Sequence, residues 1–162
     1  MLCFNKTTYA KDEFLLDNQA ESITSIVDSI STETLDNGDY IETVISSETS
    51  LSDNVLNIST LSTSKTITKT KTTYYKNSTG SILWSVSIKA TFTYNGSTSK
   101  CTSCSHSTTA PGKSWSIKRC TSSKSGNKAT AKAVATHTDS DGSKYNITKS
   151  VTISCSANGT VS

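Results

Sequence analysis

The sequence is poor in several residue types on which common protein chemistries depend. Its 162 residues include one Pro, one Met and two His, and only 33% of them are hydrophobic. No segment approaches the ~18 apolar residues that a membrane-spanning helix needs. The sequence also lacks Gly-x-Ser-x-Gly, His-Glu-x-x-His and phosphate-binding-loop motifs. Because His106 and His137 lie outside any recognisable triad context, we expect neither an enzyme nor a cofactor.

Serine and threonine supply much of the chain instead, with 31 and 28 residues respectively. The β-branch of Thr favours strands, whereas Ser suits turns and solvated faces. This composition disfavours long helices and is compatible with either a β-fold or disorder. The alternation of apolar and polar residues in the second half of the chain favours the β-fold.

The net charge of +3 conceals an uneven distribution along the chain. Residues 12 to 53 contain eleven acidic residues and no Lys or Arg. Residues 65 to 162 contain fourteen Lys or Arg against only Asp139 and Asp141. This split predicts either an anionic partner for the basic part or neutralisation of that part by the acidic segment, within or between chains.

The first ten residues have features of the end of a secretory signal peptide. A short apolar piece is followed by polar residues and by Thr8-Tyr9-Ala10, which has the small-x-small pattern of a cleavage site. We interpret residues 1–10 as a signal-peptide remnant, the alternative being an ordinary cytosolic N-terminus. The interpretation predicts a protein that is secreted, extracellular or associated with the cell surface, without a transmembrane segment. Loss of Cys3 would leave four cysteines, an even number suited to disulfides.

Residues 11–62 form an acidic N-terminal segment with two local patterns. Apolar residues between 14 and 30 recur at intervals of three and four, which indicates a short amphipathic helix. Thr24, Ser25 and Ser29 weaken that pattern, so a disordered leader is the alternative. Asn37-Gly38 between β-forming residues predicts a hairpin over residues 33–45 with a type I′ turn. Residues 46 to 62 are predicted to be a polar linker.

The clearest predicted strand covers residues 82 to 94. Apolar residues occupy every second position of that stretch: Ile82, Trp84, Val86, Ile88, Ala90, Phe92 and Tyr94. Such alternation indicates a half-buried strand. About seven short strands separated by turn signals predict an immunoglobulin-like antiparallel β-sandwich over residues 63–162, with the acidic segment as its N-terminal extension.

The four remaining cysteines allow three disulfide connectivities. On an extended strand Cys101 and Cys104 would point to opposite faces, roughly 10 Å apart, which is too far for a disulfide. We favour Cys101–Cys155, which links the middle of the domain to its last strand, and Cys104–Cys120, which closes a short loop. The alternative is a zinc site formed by Cys101, Cys104, His106 and Cys120, which an oxidising compartment disfavours.

The strand predicted over residues 65 to 76 places lysines on one parity and threonines mostly on the other. It has few apolar residues, so we expect an edge strand protected by lysine. Lys65, Lys69 and Lys71 would form a basic face for an anionic polymer such as wall teichoic acid. Aromatic residues that could stack bases are not interleaved with these lysines, so we expect no specific nucleic acid partner.

Three stretches of the sequence, residues 66–96, 123–131 and 151–155, carry a resemblance to a known group. They resemble small, uncharacterised Ser/Thr-rich secreted proteins of Gram-positive anaerobic bacteria, over roughly residues 33 to 162. The resemblance implies export, a bacterial source and a Cys101–Cys155 disulfide. Cys104 and Cys120 depart from the group's pattern, which leaves their pairing with less support. The resemblance implies no catalytic residues and no function.

Together these patterns predict a secreted or surface-associated, non-enzymatic binding module. Its partner would be an envelope polymer, a glycan or another protein. The alternative is a secreted membrane-active toxin or antimicrobial protein, because Ser/Thr-rich amphipathic strands also occur in pore-forming proteins. The strand over residues 63–76 lacks the continuous apolar face that membrane insertion requires, which favours the binding module.

Overall fold

A computed structural model describes residues 23–50 and 64–162 and contains only strands, turns and loops in these ranges. The strands are β1 (Ile23–Thr34), β2 (Tyr40–Ser50), β3 (Lys65–Lys76), β4 (Ile82–Tyr94), β5 (Ser99–Thr109), β6 (Trp115–Ser125), β7 (Lys128–Thr138) and β8 (Lys144–Ser154). They form a five-stranded sheet in the order β1-β2-β3-β4-β5 and a three-stranded sheet in the order β6-β7-β8. All neighbouring strands are antiparallel, so the predicted all-β class is confirmed.

The core lies between the two sheets and is centred on β4. Trp84, Val86, Ile88 and Phe92 are fully buried, which confirms the predicted alternation of this strand. They belong to one apolar cluster with four alanines of β7 and with residues of β8. The small side chains of the alanines leave room for the large rings of β4, as close packing of a protein interior requires.

The β1 strand replaces the helix expected over part of residues 14–30. Residues 23 to 34 pair with β2 along their length, with a bulge near Asp28. Ile26, Val27 and Ile30 are β-branched and favour an extended backbone, which overrides the weak helical periodicity. The first part of the predicted linker, residues 46 to 50, is also strand. Residues 1–22, which include the predicted signal-peptide remnant, and residues 51–63 of the predicted linker lie outside the described ranges.

The β3 strand lies inside the five-stranded sheet, so the predicted edge position is wrong. It pairs with β2 from Ser47↔Lys69 to Tyr40↔Lys76, and with β4 on its other side. Lys69 and Lys76 tolerate this position because the acidic hairpin supplies carboxylates, at 2.9 Å between Lys69 and Asp28 and 2.6 Å between Lys76 and Glu42. Neutralisation of basic strands by the acidic segment therefore occurs within the chain.

The hairpin between β1 and β2 contains Asn37-Gly38 as predicted, but its turn is not type I′. Leu35 N–H donates to Asp39 O and Gly38 N–H donates to Leu35 O, which defines a three-residue loop. Gly38 has a φ of +83°, the left-handed conformation that ends such loops. The same hydrogen-bond pattern recurs in the loops that end at Gly80, Gly142 and Gly159.

Candidate functional site

The five-stranded sheet extends beyond the three-stranded sheet on one side. Strand β3 has Cα atoms within 8 Å of β8, whereas within the described residues no Cα atom of β1 or β2 comes that close to a strand of the second sheet. The inner face of β1–β3 therefore borders a groove of about 480 Å³, which we call the overhang groove. Its first wall consists of Ser29, Ser31, Thr43, Ile45, Lys71 and Thr73. Its second wall consists of residues 149–152 of β8 together with Val161 and Ser162 near the C-terminus.

The chemistry of the inner face changes where the second sheet ends. On β4 the inward positions are apolar and buried, whereas β1 presents Ser29 and Ser31 to the groove. On β2 and β3, Thr43 and Thr73 point inward, and their hydroxyl oxygens lie 3.2 Å apart. Since hydroxyl groups need hydrogen-bond partners, this face suits water or a polar ligand better than a further apolar layer.

Lys71 occupies an inward position of β3 that strand alternation would assign to an apolar residue. It lies directly between Ile45 of β2 and Ile88 of β4, both of which are buried. A lysine at such a position packs its aliphatic stem against its neighbours and extends its ammonium group to the nearest polar space. Here that space is the overhang groove.

Lys149 reaches the same groove from the opposite sheet. It lies on β8, next to the buried Ala133 of β7, and its Nζ is 5.9 Å from the centre of the Tyr75 ring. Within the described parts of the chain, neither Lys71 nor Lys149 forms an ion pair, in contrast to Lys69, Lys76 and Lys89. Among the described residues, no Asp or Glu carboxylate therefore neutralises these two ammonium groups of the groove.

The structure does not bring the three predicted lysines of β3 together as one free basic face. Lys69 binds Asp28, and its Nζ also contacts Ser47 Oγ. The hydrogen bond from Lys69 is the main cause that holds the pKa of Asp28 below its usual value. Lys65 lines a separate, smaller groove with Tyr94 and Asn95. Only Lys71 of the predicted set lines the overhang groove.

Lys149 was missed by the sequence analysis, although a signal for it exists. In the sequence of β8, Tyr145, Ile147, Val151 and Ile153 share one parity, and Lys149 falls on that same parity. A charged residue within an apolar series marks a position where the inward face meets polar surroundings. Lys71 has the same property, because it shares its parity with Ile67 and Tyr75.

Cys101, Cys104 and Cys120 all face the core, although regular strand alternation predicts opposite faces for Cys101 and Cys104. The four described cysteines carry free thiols. A bulge in β5 sets Cys101 opposite Phe92 and Cys104 opposite Ala90, which lie on one face of β4. The prediction that Cys101 and Cys104 point to opposite faces is therefore wrong, because a bulge adds one residue and reverses the parity. A second bulge, in β6, turns Cys120 inward opposite Ala133.

The positions of the cysteines distinguish between the two favoured pairs. Cys101 N–H donates to Gly126 O at 2.8 Å and Cys155 N–H donates to Asn127 O at 3.0 Å, so one turn holds both residues. His106 Nδ1 lies 2.8 Å from Ser122 Oγ, and Cys104 and Cys120 lie on opposite sides of this contact. Each cysteine is two residues away from the contact. At ~3.3 Å per residue, Cys104 and Cys120 are therefore about 13 Å apart along the strands. This arrangement supports the Cys101–Cys155 pair more than the Cys104–Cys120 pair.

The described residues contain no group of three or more His, Cys, Asp or Glu side chains that could hold a metal ion. Burial raises the pKa of the Cys101 thiol, and the nearby Cys104 raises it further. Burial also raises the pKa of Cys120 and Cys155, so these thiols are weak nucleophiles at neutral pH.

Comparison of the chain with protein-family models, curated proteins and solved structures gives no match. In residues 23–50 and 64–162 no helix is long and apolar enough to cross a membrane.

Proposed function

We propose that the protein is a secreted or surface-associated, non-enzymatic binding module with an immunoglobulin-like sandwich fold. Its overhang groove binds an anionic, hydroxyl-rich polymer of the cell envelope. The observation that carries this proposal is the convergence of Lys71 and Lys149 from opposing sheets, without an acidic partner in the described residues. A phosphate or carboxylate between them would accept charge-assisted hydrogen bonds from both ammonium groups.

The hydroxyl groups of the groove supply the second element of recognition. Ser29, Ser31 and Thr43 on the first wall can donate hydrogen bonds to, or accept them from, a polyol chain. Neither histidine lines the groove, since His106 bonds to Ser122 and His137 lies beside Asp139. The groups that do line it are suited to binding rather than to proton transfer.

Export to an oxidising compartment forms part of the proposal and concerns the cysteines. Cys101 and Cys155 are buried at the same turn, and we propose that they form a disulfide in the secreted protein. Cys104 and Cys120 remain thiols. A disulfide at this position would fasten the end of β8, which forms one wall of the groove, to β5 of the other sheet.

The proposal is tested by calorimetric titration with a synthetic glycerol phosphate oligomer. The double variant Lys71→Gln/Lys149→Gln removes both groove charges, and Lys65→Gln/Lys132→Gln removes two exposed charges outside the groove. Since a hydrogen bond to a charged group contributes about 1.5–3 kcal/mol, we expect the groove variant to lose at least about tenfold in affinity. The control should bind like the unaltered protein.

Two outcomes would refute the groove as the binding site. Equal loss in both double variants would indicate attraction by net charge alone. Failure of the unaltered protein to bind the oligomer at low salt would remove the anionic ligand from the proposal, because screening is weakest there. Thermal unfolding of each variant verifies that the fold is retained.

A further inference from the structure

Three aromatic rings lie side by side at one end of the three-stranded sheet. Trp115, His137 and Tyr145 occupy directly paired positions on β6, β7 and β8, and we call them the aromatic cluster. The ring centres are 4.7 Å apart for Trp115–His137 and 5.0 Å apart for His137–Tyr145. Tyr145 is 47% exposed although its ring belongs to this series.

Packing of the core explains the positions of the Tyr75, Trp84 and Trp115 rings, but it does not explain the exposed ring of Tyr145. Tyr75 stacks on the fully buried Trp84 with ring centres 4.4 Å apart, and Trp115 joins them at 6.1 Å. Tyr145 packs on His137 and Trp115 with only part of its ring, since it lies on the edge strand β8 and keeps almost half of its surface in water. A large exposed aromatic side chain, supported by other rings, is a common feature of binding surfaces.

The aromatic cluster lies on the same face of β8 as the overhang groove. Tyr145 and Lys149 have the same parity, and four residues at ~3.3 Å each place them about 13 Å apart. Lys149 in turn contacts the Tyr75 ring, from which the aromatic series leads to Trp115. A ligand that occupies the groove can therefore extend along β8 to Tyr145.

We infer that the aromatic cluster is a stacking site for a sugar ring. The inference rests on the proposed function and adds that the anionic polymer carries pyranose units. One face of a pyranose is formed by C–H groups, which pack against an aromatic ring, while its hydroxyls stay in water or bond to polar neighbours. The Asp139 carboxylate, 3.1 Å from His137 Nδ1, stands beside the cluster and can accept a hydrogen bond from such a hydroxyl.

Tryptophan fluorescence tests this inference with neutral sugars, which do not depend on the groove charges. The probes are cellotetraose, chitotetraose and maltotetraose, titrated separately. Trp84 is fully buried, so a change of emission reports mainly on Trp115, and the Trp115→Phe variant verifies this assignment. We expect a saturable change with at least one of the three oligosaccharides.

The variants separate stacking from other effects. Tyr145→Ala should weaken the binding at least tenfold, whereas Tyr145→Phe keeps the ring and should bind like the unaltered protein. Tyr74→Ala serves as the control, because Tyr74 lies on β3 with the opposite parity to Tyr75 and contacts Lys76. The absence of a saturable change with all three sugars, or equal binding by Tyr145→Ala, would overturn the inference.

The sugar titrations and the phosphate titrations test two separate sites, so either can fail without the other. Lys71→Gln/Lys149→Gln should bind the neutral oligosaccharide normally, and Tyr145→Ala should bind the glycerol phosphate oligomer normally. If only the sugar titrations fail, the aromatic site is wrong and the groove proposal stands. If only the phosphate titrations fail, the groove proposal is wrong and the aromatic cluster remains a site for neutral sugars.

Discussion

Gly159 shows how a single residue fixes the chain end that lines the groove. Its φ is +88°, and a Cβ atom added there would lie 2.5 Å from the Tyr94 ring. The turn that it closes leads to Val161 and Ser162, which form part of the groove wall. This glycine is therefore required both by its backbone conformation and by the close approach of Tyr94.

We predict that Gly159→Ala is more destabilising than Gly142→Ala. Gly142 has a similar φ of +85° but open space around its Cβ position. Gly142→Ala should cost only the left-handed backbone strain of about 1–2 kcal/mol. Gly159→Ala adds a steric clash, and overpacking typically costs a further ~1–3 kcal/mol. Urea unfolding of both variants measures the difference, and equal losses would contradict the steric argument.

Individual residues also mark the limits of sequence analysis. The buried set on β4 was predictable because its apolar residues alternate without a break. Lys71 and Lys149 were harder to interpret, since their inward parity was visible but the groove they enter depends on how far one sheet extends beyond the other. No local pattern in the sequence contains that information.

At the scale of strands, β-bulges are the reason why predictions of the face to which a cysteine side chain points were wrong. The bulge in β5 reversed the parity between Cys101 and Cys104, and the one in β6 did the same for Cys120. A bulge is defined by pairing with the neighbouring strand. It is therefore invisible to an alternation count, which treats each strand as regular. The position of β3 inside the sheet also depended on partners, namely the acidic residues of the β1–β2 hairpin.

The Asp28–Lys69 ion pair connects β1 to β3 across β2, and it gives the hairpin an acid-sensitive attachment. The Lys69 hydrogen bond is the main cause that lowers the pKa of Asp28 below the usual 3.8. A carboxylate with a lowered pKa in the folded state contributes stability above the unfolded-state pKa. That contribution is lost as pH falls through the folded-state pKa.

We therefore predict that Asp28→Asn reduces the fall in stability below pH 3.8. The free energy of unfolding of the variant should be lower than that of the unaltered protein at neutral pH, and the two values should converge in acid. Urea unfolding across this pH range provides the measurement, with Asp36→Asn in the exposed hairpin loop as the control. Parallel curves for the unaltered protein and Asp28→Asn would exclude the ion pair as the cause.

At the scale of the whole molecule, the proposed Cys101–Cys155 disulfide joins the two sheets. We predict that the oxidised protein contains one disulfide, seen as the loss of two hydrogen masses relative to the reduced form. A disulfide contributes typically ~2–4 kcal/mol, so Cys101→Ser/Cys155→Ser should lower stability under oxidising conditions by about that amount. Cys104→Ser/Cys120→Ser should keep the disulfide. Two disulfides, or a bond retained in the first variant, would contradict the assignment.

Folding brings the acidic segment of the chain next to some of the lysines of its basic part. The acidic hairpin pairs with Lys69, Lys76 and Lys89 of the five-stranded sheet. Lys71 of that sheet and Lys149 of the other line the overhang groove, without an ion pair among the described residues. The sequence indicated a choice between an anionic partner and internal neutralisation. The structure shows internal neutralisation for part of the lysines, and the groove is where we propose that an anionic partner binds.

The most direct test of this account is a backbone amide NMR titration of the full chain with the glycerol phosphate oligomer. The account predicts that the largest saturable shift changes occur at Thr43, Lys71, Lys149 and Val161, on both walls of the overhang groove. They should be absent in Lys71→Gln/Lys149→Gln. Changes centred instead on the exposed Lys118 and Arg119 of β6, or spread over all lysines alike, would contradict it.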